Sequence, residues 1–299
     1  MKLRSHLLKL FNKLPYNQYL SFKRNSCFPA GHFYSPIVSI KEIKKRESEI
    51  WNKTNDDSIV GIDLRTDEQI KLIESFSKFY AEMPFKANKQ INIRYQFENG
   101  YYSYTDGIIL YSVIRHFQPK KIVEVGSGFS SAVMLDTNEI FFNNKIKLTF
   151  IEPYPERLIS LMKDSDMTST NIMESDVQSI SLDHFSNLER GDILFIDSTH
   201  VVKTGSDVNY ILFEILPSLQ SGVLIHFHDV FFPFEYPKDW VYEGRSWNED
   251  YFLKAFLMYN DKFEIKIFSE YIHKHHKEAF RDMPLSYNNP GGNFWLVKK

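Results

Sequence analysis

From residue 120 to the C-terminus, short apolar runs alternate with stretches of helical spacing. Ile122, Val123 and Val125 form the first run, and others follow at 148–152, 170–176, 192–197, 223–229, 263–268 and 293–297. These runs are too short for buried helices, and most are rich in Ile, Val, Leu or Phe, which predicts strands. Between them, 155–163, 208–219 and a segment opening at Ser130 or Ser131 have helix character. Alternation of this kind predicts an α/β fold, a parallel sheet with helices on both faces.

Upstream the pattern changes. A helix capped by Thr105 or Asp106 is predicted to reach His116, ahead of Pro119. Another, capped by Thr66 or Asp67, carries Leu72, Ile73, Phe76 and Phe79 and stops before Pro84. The charged run 41–50 suits an exposed helix. Residues 1–24 hold Lys2, Arg4, Lys9, Lys13, Lys23 and Arg24, no acid, and leucines at roughly helical spacing. Such a segment can touch an anionic membrane surface or pack on protein. The predicted organisation is therefore an N-terminal extension, 1–104, mostly helix and loop, followed by the α/β domain, 105–299.

Composition narrows the function classes. The chain has 299 residues, 43% hydrophobic and 25% charged, which is ordinary for a globular protein. A net charge of −2 gives no reason to expect a nucleic-acid partner. The single cysteine, Cys27, excludes an internal disulfide and fits a reducing cytoplasm, so a cytoplasmic protein is expected. Aromatics reach 16%, and nine of them crowd into 231–252 beside Pro233, Pro237 and Gly244. This aromatic insertion follows the fifth strand. Aromatic platforms with polar tips suit sugar rings or planar acceptors.

The first strand runs into Glu124-Val-Gly126-Ser-Gly128, where two glycines permit a sharp turn with free backbone N–H groups at the sheet edge. The second strand ends in an acid, Glu152, about two dozen residues after Gly128, a spacing that suits a carboxylate accepting both ribose hydroxyls. The whole pattern resembles the class I S-adenosylmethionine-dependent methyltransferases, and the wording around 195–200, 205–208 and 226–237 resembles a methyltransferase-24-like, O-methyltransferase-like subfamily. The resemblance implies a Rossmann-like, doubly wound sheet with an antiparallel last strand. It also implies that Glu124, Gly126, Ser127, Gly128, Glu152 and Asp176 hold S-adenosylmethionine, with Glu124 and the glycine turn facing the methionine part and Asp176 the adenine. Ser131 stands where a dinucleotide-binding turn needs its last Gly, and no Tyr-x-x-x-Lys pair lies on a core helix. Both count against the alternative of an NAD-linked oxidoreductase or epimerase. A non-catalytic scaffold that binds the cofactor or a partner is a third reading.

Two strand ends carry candidate chemistry: Asp197-Ser-Thr-His200 and His228-Asp229. They resemble the metal-dependent, catechol-type O-methyltransferases, which have an acid, a Lys base three residues later, and an Asp-Asn pair. Here Asp197 matches the acid, His200 takes the base position, and His228 and Asp229 replace the pair. An imidazole near pKa ~6.5 can act as a base at neutral pH. Asp197, His228 and Asp229 could hold a divalent, magnesium-like ion that acidifies an acceptor hydroxyl. His226, alone in an apolar strand, reads as structural. His273, His275 and His276 sit among lysines and read as an exposed basic helix or turn. The expected reaction is O-methylation of a small-molecule or glycan-like acceptor, with His200 and Asp197 as the catalytic pair.

Overall fold

In a computed structural model the described residues are 20, 23–52 and 57–299. Nearly all of the basic segment 1–24, and with it the expected membrane contact, lies outside them. No described helix is long and apolar enough to cross a membrane.

Seven strands form one sheet in the order β3-β2-β1-β4-β5-β7-β6. They are β1 Lys121–Val125, β2 Lys147–Ile151, β3 Asn171–Met173, β4 Ile193–Ile196, β5 Leu224–Phe227, β6 Phe263–Phe268 and β7 Phe294–Lys298. The first five pair in parallel, and β7 runs antiparallel between β5 and β6. This is the doubly wound, Rossmann-like sheet with an antiparallel last strand that the pattern predicted. The chain winds outward from β1 in both directions, so a crevice opens where β1 and β4 diverge, at their carboxyl ends. The central strands are buried on both faces; Phe150, Phe195, Ile225 and Trp295 are almost wholly enclosed. Continuous apolar runs rather than alternation are what such strands require.

Two compact units are present. The larger spans Thr54–Tyr236 and Trp247–Lys299 and contains the whole sheet. Residues 57–104, expected as part of an extension, lie within it. Arg94 holds them there. Its guanidinium is 2% exposed and donates to Asp136 at 2.7 Å and to Asp166 at 2.5–2.7 Å. The smaller unit joins the described part of Met1–Lys53 to Pro237–Ser246, the middle of the aromatic insertion. Within it, Glu47 pairs with Lys238 and accepts from the Tyr242 hydroxyl at 2.6 Å.

Several helix ends differ from the expected ones. The expected 66–79 helix breaks into Thr66–Glu74 and Ser77–Tyr80. Arg65, left-handed at φ 52, occupies its N-cap, while Thr66 bonds the Tyr271 hydroxyl across the fold. The next helix spans Tyr104–Phe117, so Thr105 and Asp106 lie in its first turn. Both bond the 286–293 segment instead of capping. Tertiary partners took these side chains from the local roles that sequence assigns them.

Candidate active site

β1 ends at Val125, and Gly126 turns the chain at φ +82. A β-carbon there would lie 1.8 Å from the carbonyl oxygen of Asp197, so glycine is required twice over, by conformation and by contact. The Asp197 N–H donates to Val125 O at 2.9 Å, and the Gly126 N–H to Ile151 O at 3.0 Å. These bonds lock the ends of β1, β2 and β4 together. Glu152 accepts from the Ser127 N–H at 3.1 Å and the Tyr154 N–H at 2.8 Å, which aims its carboxylate across the turn. A cavity of about 390 Å³ opens beside these groups. Its walls include Gly126, Glu152, Tyr154, Asp176, Asp197 and Thr199.

Of the six residues expected around the cofactor, Gly126, Glu152 and Asp176 line this cavity, whereas Glu124, Ser127 and Gly128 do not. Glu124 is fully buried beneath the turn, and both its carboxylate oxygens accept from the hydroxyls of Ser130 and Ser131. Burial pushes its carboxyl up to about 8, against the lowering effect of those bonds. The two serines were expected to cap the following helix. Instead Gly128 takes the N-cap of Phe129–Phe142, and Ser131 accepts from the Gly128 N–H at 3.0 Å.

The strand-end group converges as expected. His200 Nε2 lies 3.5 Å from Asp197 Oδ1 and 3.9 Å from Asp229 Oδ2. His228 Nδ1 lies 3.5 Å from Asp197 and 3.6 Å from Asp229. His200 and Asp229 both have left-handed backbones, at φ 58 and 57. Non-glycine residues there are strained, and such strain concentrates at functional sites. Among the described residues, the metal-competent group has its ligand atoms within 4.8 Å of one another and consists of Asp197, His200 and Asp229. His200 thus joins the two aspartates in this group, while His228, the imidazole expected there, lies as near to both of them. His228 faces deeper, with Nε2 3.6 Å from Asp106 Oδ1 and its ring 5.0 Å from that of Tyr102.

The electrostatics correct the expected imidazole of ordinary pKa. Burial alone would lower His200, but bonds to Asp197 and Glu249 raise it to about 10. Asp197 is held well below the usual carboxylate range: burial opposes this, and His228 and His200 outweigh it. The pocket is built to hold positive charge between two aspartates.

Glu249 escaped the sequence reading, and Trp247 was read only as one of the nine aromatics of 231–252. Glu249 sits at the start of the Glu249–Leu257 helix, 1% exposed, with Oε2 2.9 Å from His200 Nδ1. The Trp247 ring covers the His200 ring at 4.3 Å. In sequence, Glu249-Asp250 looks like an ordinary acidic first turn of a helix. His226 is structural, as read: it is fully buried, stacked on Phe195 at 4.0 Å and beside Trp295 at 4.6 Å. The His273 cluster is not simply exposed, because His273 is half-buried and stacks on Phe280 at 4.0 Å.

Residues 123–230, from β1 to just past Asp229, match the family described as "Methyltransferase domain". An uncharacterised protein of Archaeoglobus fulgidus is 36% identical over 172 residues, covering 56% of this chain and 76% of the relative. Among solved structures, the SAH-bound methyltransferase PaMTH1 of Podospora anserina is 14% identical, with 92% of this chain and 99% of that one covered and a TM-score of 0.42. The O-methyltransferase TomG of Streptomyces achromogenes, in complex with SAM, is 14% identical, with coverages of 86% and 96% and a TM-score of 0.41. A Mg-SAM form of CmcI is 18% identical, with coverages of 74% and 84% and a TM-score of 0.39. The methyltransferase-domain match spans the Gly126 turn and both site aspartates, and the chain belongs to the class I, S-adenosylmethionine-dependent methyltransferases.

Proposed function

We propose that this protein transfers the methyl group of S-adenosylmethionine to an oxygen of a small-molecule or glycan-like acceptor, at the group formed by Asp197, His200 and Asp229. The observation that supports this best is the contact of Gly126 with Asp197, which joins the cofactor turn to the polar cluster. Methyl transfer from a sulfonium needs an acceptor atom held in line with the methyl group, so the two sites must adjoin.

The cavity beside Gly126 has a volume within the range of ligand sites. In this reading Glu152, already oriented by two backbone N–H groups, accepts the ribose hydroxyls. Asp176 faces the adenine amino group, and the backbone of Gly126 lets the sulfonium approach. Glu124 supports the turn from below through Ser130 and Ser131.

The cluster also fits a divalent cation. Two carboxylates and an imidazole suit magnesium or manganese, and their ligand atoms converge without one. When bound, such an ion supplies Lewis acidity that lowers the pKa of the acceptor hydroxyl. Asp197, His200 and Asp229 would hold it. His200 turns Nε2 toward both aspartates, so its role in this reading is that of a ligand.

The test is methyl transfer from isotope-labelled S-adenosylmethionine to a panel of catechol-type and sugar hydroxyls, with magnesium and with chelator. Transfer that needs magnesium is expected. Calorimetry that finds NAD bound and S-adenosylmethionine unbound would overturn the reading.

A further inference from the structure

The environment of His200 is unusually complete. The backbone N–H groups of Asn248 and Glu249 donate to its carbonyl oxygen at 3.1 and 3.2 Å. Asn248 also brackets the next loop residues, accepting from the Val202 N–H at 2.6 Å and donating to Val202 O at 3.2 Å. Trp247 covers one face of the imidazole. The Glu249 carboxylate, 2.9 Å from Nδ1, takes the near side of the ring. What remains is Nε2, pointed at Asp197 and Asp229.

We propose that Glu249 is a positioning residue that fixes the orientation and tautomer of His200, leaving Nε2 as the nitrogen offered to a cation shared with Asp197 and Asp229. The inference rests on the cation reading above. A carboxylate that accepts the distal N–H of a metal-bound imidazole fixes its ring and raises its basicity. Glu249 has the features that this role needs: it is buried, it reaches Nδ1, and its own helix starts against the His200 carbonyl. The left-handed backbone of His200 is sustained by the same segment, so one stretch, 247–249, sets both the backbone and the ring.

Manganese affinity of the full-length protein, without cofactor or acceptor, tests this by calorimetry or electron paramagnetic resonance. Glu249→Leu should weaken manganese about 10- to 100-fold. Glu249→Gln, whose amide oxygen can still accept from Nδ1, should fall between it and the wild type, with circular dichroism unchanged. In a His200→Ala background, Glu249→Leu should cost nothing further, because its effect runs through that ring. Wild-type affinity in Glu249→Leu, or the same loss with and without His200, would overturn the proposal while leaving the cation site standing. Wild-type protein that binds no manganese would overturn the cation reading and this proposal together.

Discussion

The position a β-carbon would take on Gly126 lies 1.8 Å from the carbonyl oxygen of Asp197. The turn at the end of β1 and the first acid after β4 therefore share one van der Waals surface. Gly126→Ala should be among the most damaging single substitutions in the chain. Backbone strain at this φ costs about 1–3 kcal/mol, and the clash must be relieved by moving Asp197. Thermal unfolding should shift down, and S-adenosylmethionine binding, measured by calorimetry on whatever protein stays folded, should be lost. A variant that binds as well as wild type would show that the turn does not face the cofactor.

Glu152→Ala removes a carboxylate that two backbone N–H groups hold in place. Charge-assisted hydrogen bonds to ribose are worth about 1.5–3 kcal/mol each. The cofactor should bind roughly 10- to 100-fold more weakly. Equal affinity in calorimetry would remove Glu152 from the site.

Chelation and His200→Ala should act alike if the imidazole is a ligand. Chelator should abolish transfer and magnesium restore it, while His200→Ala should need far more magnesium to reach a rate still reduced by about 10²-fold or more. Activity untouched by chelator, lost in His200→Ala at every pH, and falling in the wild type on the acid side of the His200 pKa, would return His200 to the role of base.

Arg94→Met should destabilise the larger unit by about 3–5 kcal/mol, because it strands the buried carboxylates of Asp136 and Asp166. Urea unfolding measures this. A change under about 1 kcal/mol would mean that water reaches those acids.

His273 offers a pH test away from the site. Burial, helped by Lys277 and opposed by Asp106, pushes it down to about 4. Above its unfolded value of ~6.5, both states carry a neutral ring and its contribution is fully present. As pH falls from there toward 4, the unfolded chain takes up a proton that the folded one refuses, so stability drops by up to about 3 kcal/mol. His273→Phe, which keeps the stack on Phe280, should flatten that part of the melting profile. An unchanged slope between pH 7 and pH 4 would show that the ring is solvated.

The central strands were legible in the sequence because parallel strands buried on both faces must be apolar throughout, and chain order then leaves little freedom in their connections. The Gly126 turn and the acids at the ends of β2 and β4 were legible for the same reason: strand ends are where the apolar runs stop. Helix starts were less so. Thr66, Thr105 and Asp106 all look like caps, yet each found a partner far away in the chain, while Ser130 and Ser131 turned back onto Glu124 at the end of β1.

What the sequence determined by itself was the order of elements, the glycine turn, and the presence of Asp197, His200, His228 and Asp229 at neighbouring strand ends. Local composition and period suffice for these, since each is a property of a few adjacent residues. Only the tertiary structure decided that His200 forms the candidate cation group with the two aspartates, that carboxylates raise its imidazole, and that Glu249 lies behind it. Those outcomes depend on ring orientation and burial, set by a segment nearly fifty residues away that carries no local sign of where it will pack.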